Sequence, residues 1–400
     1  MMKRRSFLVG GSSLALSQLL SGCNRQQRAS LNLQLLKGSI PPQMLKEFRK
    51  GLKPPVQLNF APEEQLNNLF KRLETWQQQA KNKNSQQRWS IPFIGKKTPP
   101  LADLVTLGDY WLESAIKQGL IKPLAVEELE GWKTLHSRWQ ELVKRDNQGL
   151  LVEKNGQVWG APYRWGTTVI AYRQDKFKEL GWTPKDWSDL WRPELQGHIS
   201  LLDQPREVIG LTLKKLGKSY NTEKLSEVLS LKEELSKLHQ QVKYYSSNKY
   251  LEPLILGDTW LALGWSTDVL SVRSSNRQIE AIVPLSGTAI WADVWVQPAS
   301  VSDNSEPPAG AKANTSLTKD WINFCWQPQS AEKISILSNA TSPIFFDDDS
   351  KTLPKALQDN PLLLPDSSVL DKSEFLRPLP KEVSQEYEAL WKKIRNVRHS

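Results

Sequence analysis

His136, His198, His239 and His399 are scattered through the chain, and none stands at metal-ligand spacing from a cysteine or an acid. The nucleophile elbow Gly-x-Ser-x-Gly, the dinucleotide fingerprint Gly-x-Gly-x-x-Gly and the zinc motif His-Glu-x-x-His are absent. Gly217-Lys218-Ser219 resembles the end of a phosphate-binding loop, but Thr212 stands where that loop needs its first glycine. Asp347-Asp348-Asp349 reads as a solvated turn rather than a calcium site, and Tyr244-Tyr245 is an isolated pair. No catalytic residue, metal site or cofactor is therefore expected. What remains is binding, for which the 17 tryptophans are suited by faces that stack on sugars or capture ammonium groups.

A binding residue needs an element to aim it. Between Asp186 and Gly217 an aromatic turn precedes a short apolar strand, Ile199 to Leu202. Asp203 then reads as a helix N-cap, with Pro205 just inside and Glu207 in the first turn. Val208, Ile209, Leu213 and Leu216 supply that helix with a buried face, and Gly217 ends it. A polar loop between a strand's carboxyl end and a helix N-terminus is where open α/β domains hold ligands.

Elsewhere strands and helices alternate, which indicates α/β units with a parallel sheet. Strands are expected at Leu31 to Leu36, Val56 to Phe60 and Ala102 to Val105, the last running into Gly108-Asp109-Tyr110. Val158 to Tyr172 reads as strand broken by Pro162 and Gly166, and Ile290 to Val296 as a second crossing segment. Leu225, Val228, Leu235, Leu238 and Val242 suggest one long helix, and Trp260 to Trp265 a buried strand before Asp268. Trp321 to Trp326 should begin an amphipathic helix, and Glu382 to Val397 should close the chain with another. The expected architecture is two α/β domains with a ligand cleft between them, residues 31–166 plus 292–342 and residues 167–291 plus 343–400.

Residues 1–22 read as a targeting segment. Lys3-Arg4-Arg5 precedes a modest apolar run, and Arg4-Arg5-Ser6-Phe7-Leu8 resembles a twin-arginine export signal. Leu20-Ser21-Gly22-Cys23 resembles a lipobox, which makes Cys23 the lipidated first residue of a mature protein tethered outside the cytoplasmic membrane. Cys325 is then left without a disulfide partner and sits in an apolar stretch that suits a buried, inert thiol. The formal net charge is +10. Part of it lies in an acid-free stretch holding Lys81, Lys83, Arg88, Lys96 and Lys97, which reads as a solvated excursion, with contact to an anionic lipid surface as the functional alternative. Nucleic acid is not an expected partner, and a monomer is expected.

Asp186-Trp187-Ser188-Asp189-Leu190-Trp191-Arg192-Pro193, Gly197, Arg206-Glu207-Val208 and Leu216-Gly217 resemble the bacterial spermidine/putrescine-binding periplasmic proteins, within the family 1 extracellular solute-binding proteins. Ala102-Asp103-Leu104-Val105 with Tyr110, Ala161-Pro162-Tyr163 with Trp165-Gly166, Gly264-Trp265 and Trp291-x-Asp293 extend the resemblance. It implies the type II periplasmic-binding-protein fold, a ligand handed to an ABC permease, and a periplasmic location. It also implies that acids grip ammonium groups while aromatic rings clamp the ligand chain, at Tyr110, Glu207, Trp265, Trp291 and Asp293 here. Charge-assisted hydrogen bonds and cation–π attraction make physical sense of that set.

The chain also departs from the family pattern. Leu36-Lys37 replaces an expected Trp-Thr pair, and Gln204 replaces an acid. An expected tyrosine falls near Ala340 and a glutamine near Leu376. Lys37 in the cleft would repel a polyamine unless Asp109 or Asp268, at cleft-edge positions, pairs with it. The reading is a substrate-binding component for a polyamine or related amine. A sugar on the tryptophan faces, an organic anion at Lys37, or a non-transport interaction protein are the alternatives.

Overall fold

The computed structural model describes residues 29–52, 56–84, 101–152, 154–299, 311–346 and 353–396. The targeting segment, Cys23 and most of the basic excursion lie outside them. The principal strands are β1 (Ser30–Leu36), β2 (Gln57–Glu63), β3 (Leu104–Gly108), β4 (Ala161–Arg173), β5 (Ile199–Leu201), β6 (Val242–Tyr245), β7 (Leu261–Trp265), β8 (Ile279–Ile282) and β9 (Ala289–Pro298). Their order is β2-β1-β3-β9-β4-β7-β5-β6, with β8 on the free side of β4's second half.

Two hydrophobic cores flank this sheet system. One gathers Leu31, Leu104, Trp139, Trp165, Val294, Trp295 and Trp321. The other gathers Ile170, Trp187, Ile199, Leu211, Leu263, Tyr387 and Trp391. Strand β4 serves both: Ala161 to Thr167 pairs with β9, whereas Thr168 to Arg173 lies between β7 and β8. Every residue from Ala161 to Tyr172 is buried, which explains the near-continuous apolar character of the segment. A third connection passes the same point, where Trp165 and Thr341 exchange backbone hydrogen bonds of 2.8 and 2.9 Å.

Several sequence expectations change. Pro162 and Gly166 do not break β4. Pro162 faces Val294 where the β4–β9 register shifts, a bulge at which a missing N–H is tolerated. Gly166 lies under the Trp291 ring, and a Cβ there would come within 2.4 Å of Trp291 and 2.5 Å of the Ser266 hydroxyl. The third strand is displaced to Leu104–Gly108, because Leu104 and Val105 take the register of Leu33 and Gln34. The long helix divides into a short turn, Leu225–Glu227, and the helix Leu231–Gln241. Leu229 in the break is 94% exposed, and Val242 leaves the helix to pair with Ile199.

Asp203 does not cap the helix Pro205–Lys215. Gln204 occupies the cap position without a side-chain bond to the helix backbone, and the Asp203 carboxylate accepts from the Trp391 indole N–H at 3.1 Å. Trp321 lies in the second half of the helix Ala311–Cys325 rather than at its start, since the polar residues upstream are already helical. Phe375 packs in the first core, edge-on to Trp139, because Glu374–Phe375 pairs with Ala289 and Ile290.

The contact at Gly166 generates a prediction. Gly166→Ala forces a methyl group into Trp291 and Ser266 and should cost about 1–3 kcal/mol. Urea denaturation would show this as a lower midpoint, and an unchanged midpoint would show that the crossing is not close-packed there.

Candidate ligand-binding site

Both crossing strands turn polar side chains to one face. Residues two apart on a strand share a face, so Arg164, Gly166 and Thr168 on β4 align beside Asp293 and Trp291 on β9. The register pairs Asp293 with Arg164 and Trp291 with Gly166.

Asp293 Oδ2 accepts from Arg164 Nε at 2.7 Å and lies 2.6 Å from Nη2, with the two side chains only 2% and 6% exposed. Arg164 Nη1 donates to the Ser338 carbonyl at 3.3 Å. Burial pulls the guanidinium toward its neutral form, but Asp293 and Tyr163 together outweigh this and hold it cationic. The guanidinium carbon is 5.9 Å from the centroid of the Trp291 ring. The Trp291 indole N–H is buried and has no partner among the described residues.

Glu207 projects from the first turn of its helix and is also buried. Its carboxylate accepts from the Thr168 hydroxyl at 3.0 and 3.1 Å and from the Trp265 indole. Among the described residues no Lys or Arg forms an ion pair with it. Burial therefore raises its carboxyl to about 7; the Thr168 and Trp265 bonds and Arg206 oppose this only in part, and Asp109 adds repulsion. Asp109 is raised to about 6, again chiefly by burial, although its Oδ1 accepts from the Ala292 N–H at 2.9 Å and Arg145 lies near.

The remaining expected residues are less central. Tyr110 is 60% exposed and stands edge-on to Trp111. Asp268 accepts from the Tyr250 hydroxyl. Gln204 donates to the Ser247 hydroxyl at 3.3 Å. Lys37 pairs with neither Asp109 nor Asp268. It bonds Glu64 at 2.7 Å, both side chains largely exposed, because β1 and β2 run parallel and end side by side.

Sequence reasoning missed Arg164, Thr168, Arg145 and Arg206 as parts of the site. An arginine in an otherwise apolar buried strand was the available signal for Arg164. Arg206 donates to the Arg377 carbonyl at 3.0 Å and to Asn221 Oδ1 at 2.9 Å, beside Glu207.

The profile of the bacterial extracellular solute-binding protein family matches residues 99–373. The chain belongs to that family. The spermidine/putrescine-binding periplasmic protein of Salmonella typhimurium is 26% identical over 74% of this chain and 78% of its own length. The putrescine-binding periplasmic protein PotF of Escherichia coli is likewise 26% identical, over 74% and 78%. The spermidine/putrescine transporter substrate-binding protein PotD of Streptococcus pneumoniae superposes with a TM-score of 0.72 at 19% identity, covering 92% of this chain and 98% of that one. A periplasmic thiamin binding protein superposes at 0.55 with 15% identity, covering 93% and 98%. This solute-binding protein thus has the type II periplasmic-binding-protein fold.

The raised carboxyls make stability depend on pH. An unfolded Glu207 returns toward its ordinary value, so between about 4.5 and about 7 the folded solute-binding protein holds more protons than the unfolded chain. Without ligand, stability should fall as pH rises through that window. Glu207→Gln should flatten the fall, measured as urea midpoints at intervals across the window; an unaltered slope would exclude Glu207 as its source.

Proposed function

We propose that this chain is the substrate-binding component of an ABC importer and that its ligand is an amine of the polyamine or related class. The observation that carries the reading is Glu207, a buried carboxylate held by a hydroxyl and an indole N–H but, among the described residues, in no ion pair, with a second raised carboxyl at Asp109 acting on it. An ammonium group supplies the missing charge-assisted bonds, and Trp265 and Trp291 line its approach. The polyamine-binding relatives support the same class. With residues 31–166 plus 292–342 and residues 167–291 plus 343–400 as lobes, the crossings at Gly166 and Trp291 are the hinge about which they close. Export through the twin-arginine-like signal and lipidation at Cys23 complete the reading, placing a monomeric protein on the outer face of the cytoplasmic membrane to deliver solute to its permease.

Thermal-shift screening against primary amines, sugars, amino acids and carboxylates tests the ligand class, since a ligand selective for the folded form stabilises it. An amine should raise Tm, and Glu207→Gln should abolish that rise. Stabilisation by a sugar or carboxylate alone would overturn the reading. The pH dependence follows from the sign of the shift: Glu207 must be ionised to hold a cation, so affinity should weaken as pH falls through about 7. Between pH 8 and pH 5.5 calorimetry should show a loss of roughly tenfold or more, with proton release near neutrality. Affinity independent of pH would remove Glu207 from the amine contact.

A further inference from the structure

This inference rests on the amine reading and narrows it. We propose that Arg164 is a built-in cation filling one half of the site, so that the cleft takes ligands with a single ammonium centre in preference to diamines. Asp293 shares a face with Trp291, where a carboxylate beside an indole could receive an ammonium group. That position is already taken: Arg164 contacts Asp293 Oδ2 through Nε at 2.7 Å and Nη2 at 2.6 Å. The guanidinium also sits 5.9 Å from the Trp291 ring centroid. Carboxylate and ring therefore both serve an internal cation.

Glu207 differs, since its bonds come from Thr168 and Trp265 and no Lys or Arg among the described residues forms an ion pair with it, Arg206 compensating its charge only in part. Thr168 and Arg164 lie four residues apart on one face of β4, roughly 13 Å along an extended strand. The free carboxylate and the internal ion pair thus mark opposite ends of one wall, with Trp291 over Gly166 between them. A second ammonium reaching the Asp293 end would meet a guanidinium in a site with little water to screen it. Displacing Arg164 would strand a buried charge. An uncharged end meets neither obstacle. If it carries a hydrogen-bond acceptor, it can also satisfy the Trp291 indole N–H, which is buried without a partner among the described residues. The ligand class is an organic monocation with a polar, uncharged tail.

Calorimetry with 4-amino-1-butanol and 1,4-diaminobutane tests this, because the two differ by one ammonium group. The wild-type chain should bind the amino alcohol roughly tenfold or more tightly than the diamine. Arg164→Met frees Asp293 and should reverse the preference, whereas Arg164→Lys should keep it. Should Arg164→Met not fold, the neutral pair Arg164→Gln with Asp293→Asn serves instead and should reduce the discrimination to about threefold or less. Equal or tighter diamine binding by the wild type, with Glu207→Gln abolishing both ligands, overturns the role of Arg164 and leaves the amine reading intact. Binding of either amine that survives Glu207→Gln unchanged, or failure of the wild type to bind any amine, overturns the amine reading itself.

Discussion

Strands β4 and β9 have to pass between two hydrophobic cores without leaving a backbone group unpaired. That constraint organises the molecule. Strand β4 meets it by exchanging partners in mid-course, from β9 to β7 and β8, and the exchange falls at Gly166 to Thr168. A buried polar backbone tolerates no gap in its hydrogen bonding, so the chain concentrates its irregularities at this point. The bulge at Asp293 and Val294, the bare Gly166 under Trp291 and the bridge from Trp165 to Thr341 all lie beside the exchange.

Polar side chains at such a crossing acquire unusual electrostatics because they cannot retreat to water. Two solutions occur within one strand length. Arg164 and Asp293 neutralise each other at contact distance. Among the described residues Glu207 has only neutral donors, and burial leaves its carboxyl raised to about 7. Burial is common to both, and the presence or absence of an internal cation separates them. This difference gives the wall a direction, one end holding a carboxylate without an ion pair among the described residues and the other an internal ion pair.

Much of the fold was legible because it depends on local signals. The apolar run at Ile199, the proline at Pro205 and the tryptophan turn before them all lie in the elements expected of them. Errors arose where a local signal competes with a distant partner. Pro162 and Gly166 looked like breaks because their tolerance depends on Val294 and Trp291, far along the chain. Asp203 looked like a cap until Trp391 claimed its carboxylate. Val242 continued a helical pattern but is a better strand residue once Ile199 lies beside it.

By itself the sequence determined the alternation of strands and helices, the kinship with solute-binding proteins, and the residue types able to hold an amine. These follow from periodicity, capping and motif order, all short-range properties of the chain. Which carboxylate keeps its charge free was a tertiary decision. Asp293 and Glu207 are both plausible anions in the sequence, and neither has its deciding neighbour nearby. Strand pairing brings Arg164 to Asp293, and the helix Pro205–Lys215 packed at the sheet brings Glu207 to Thr168. Charge compensation depends on distance in space, and only the folded sheet sets that distance.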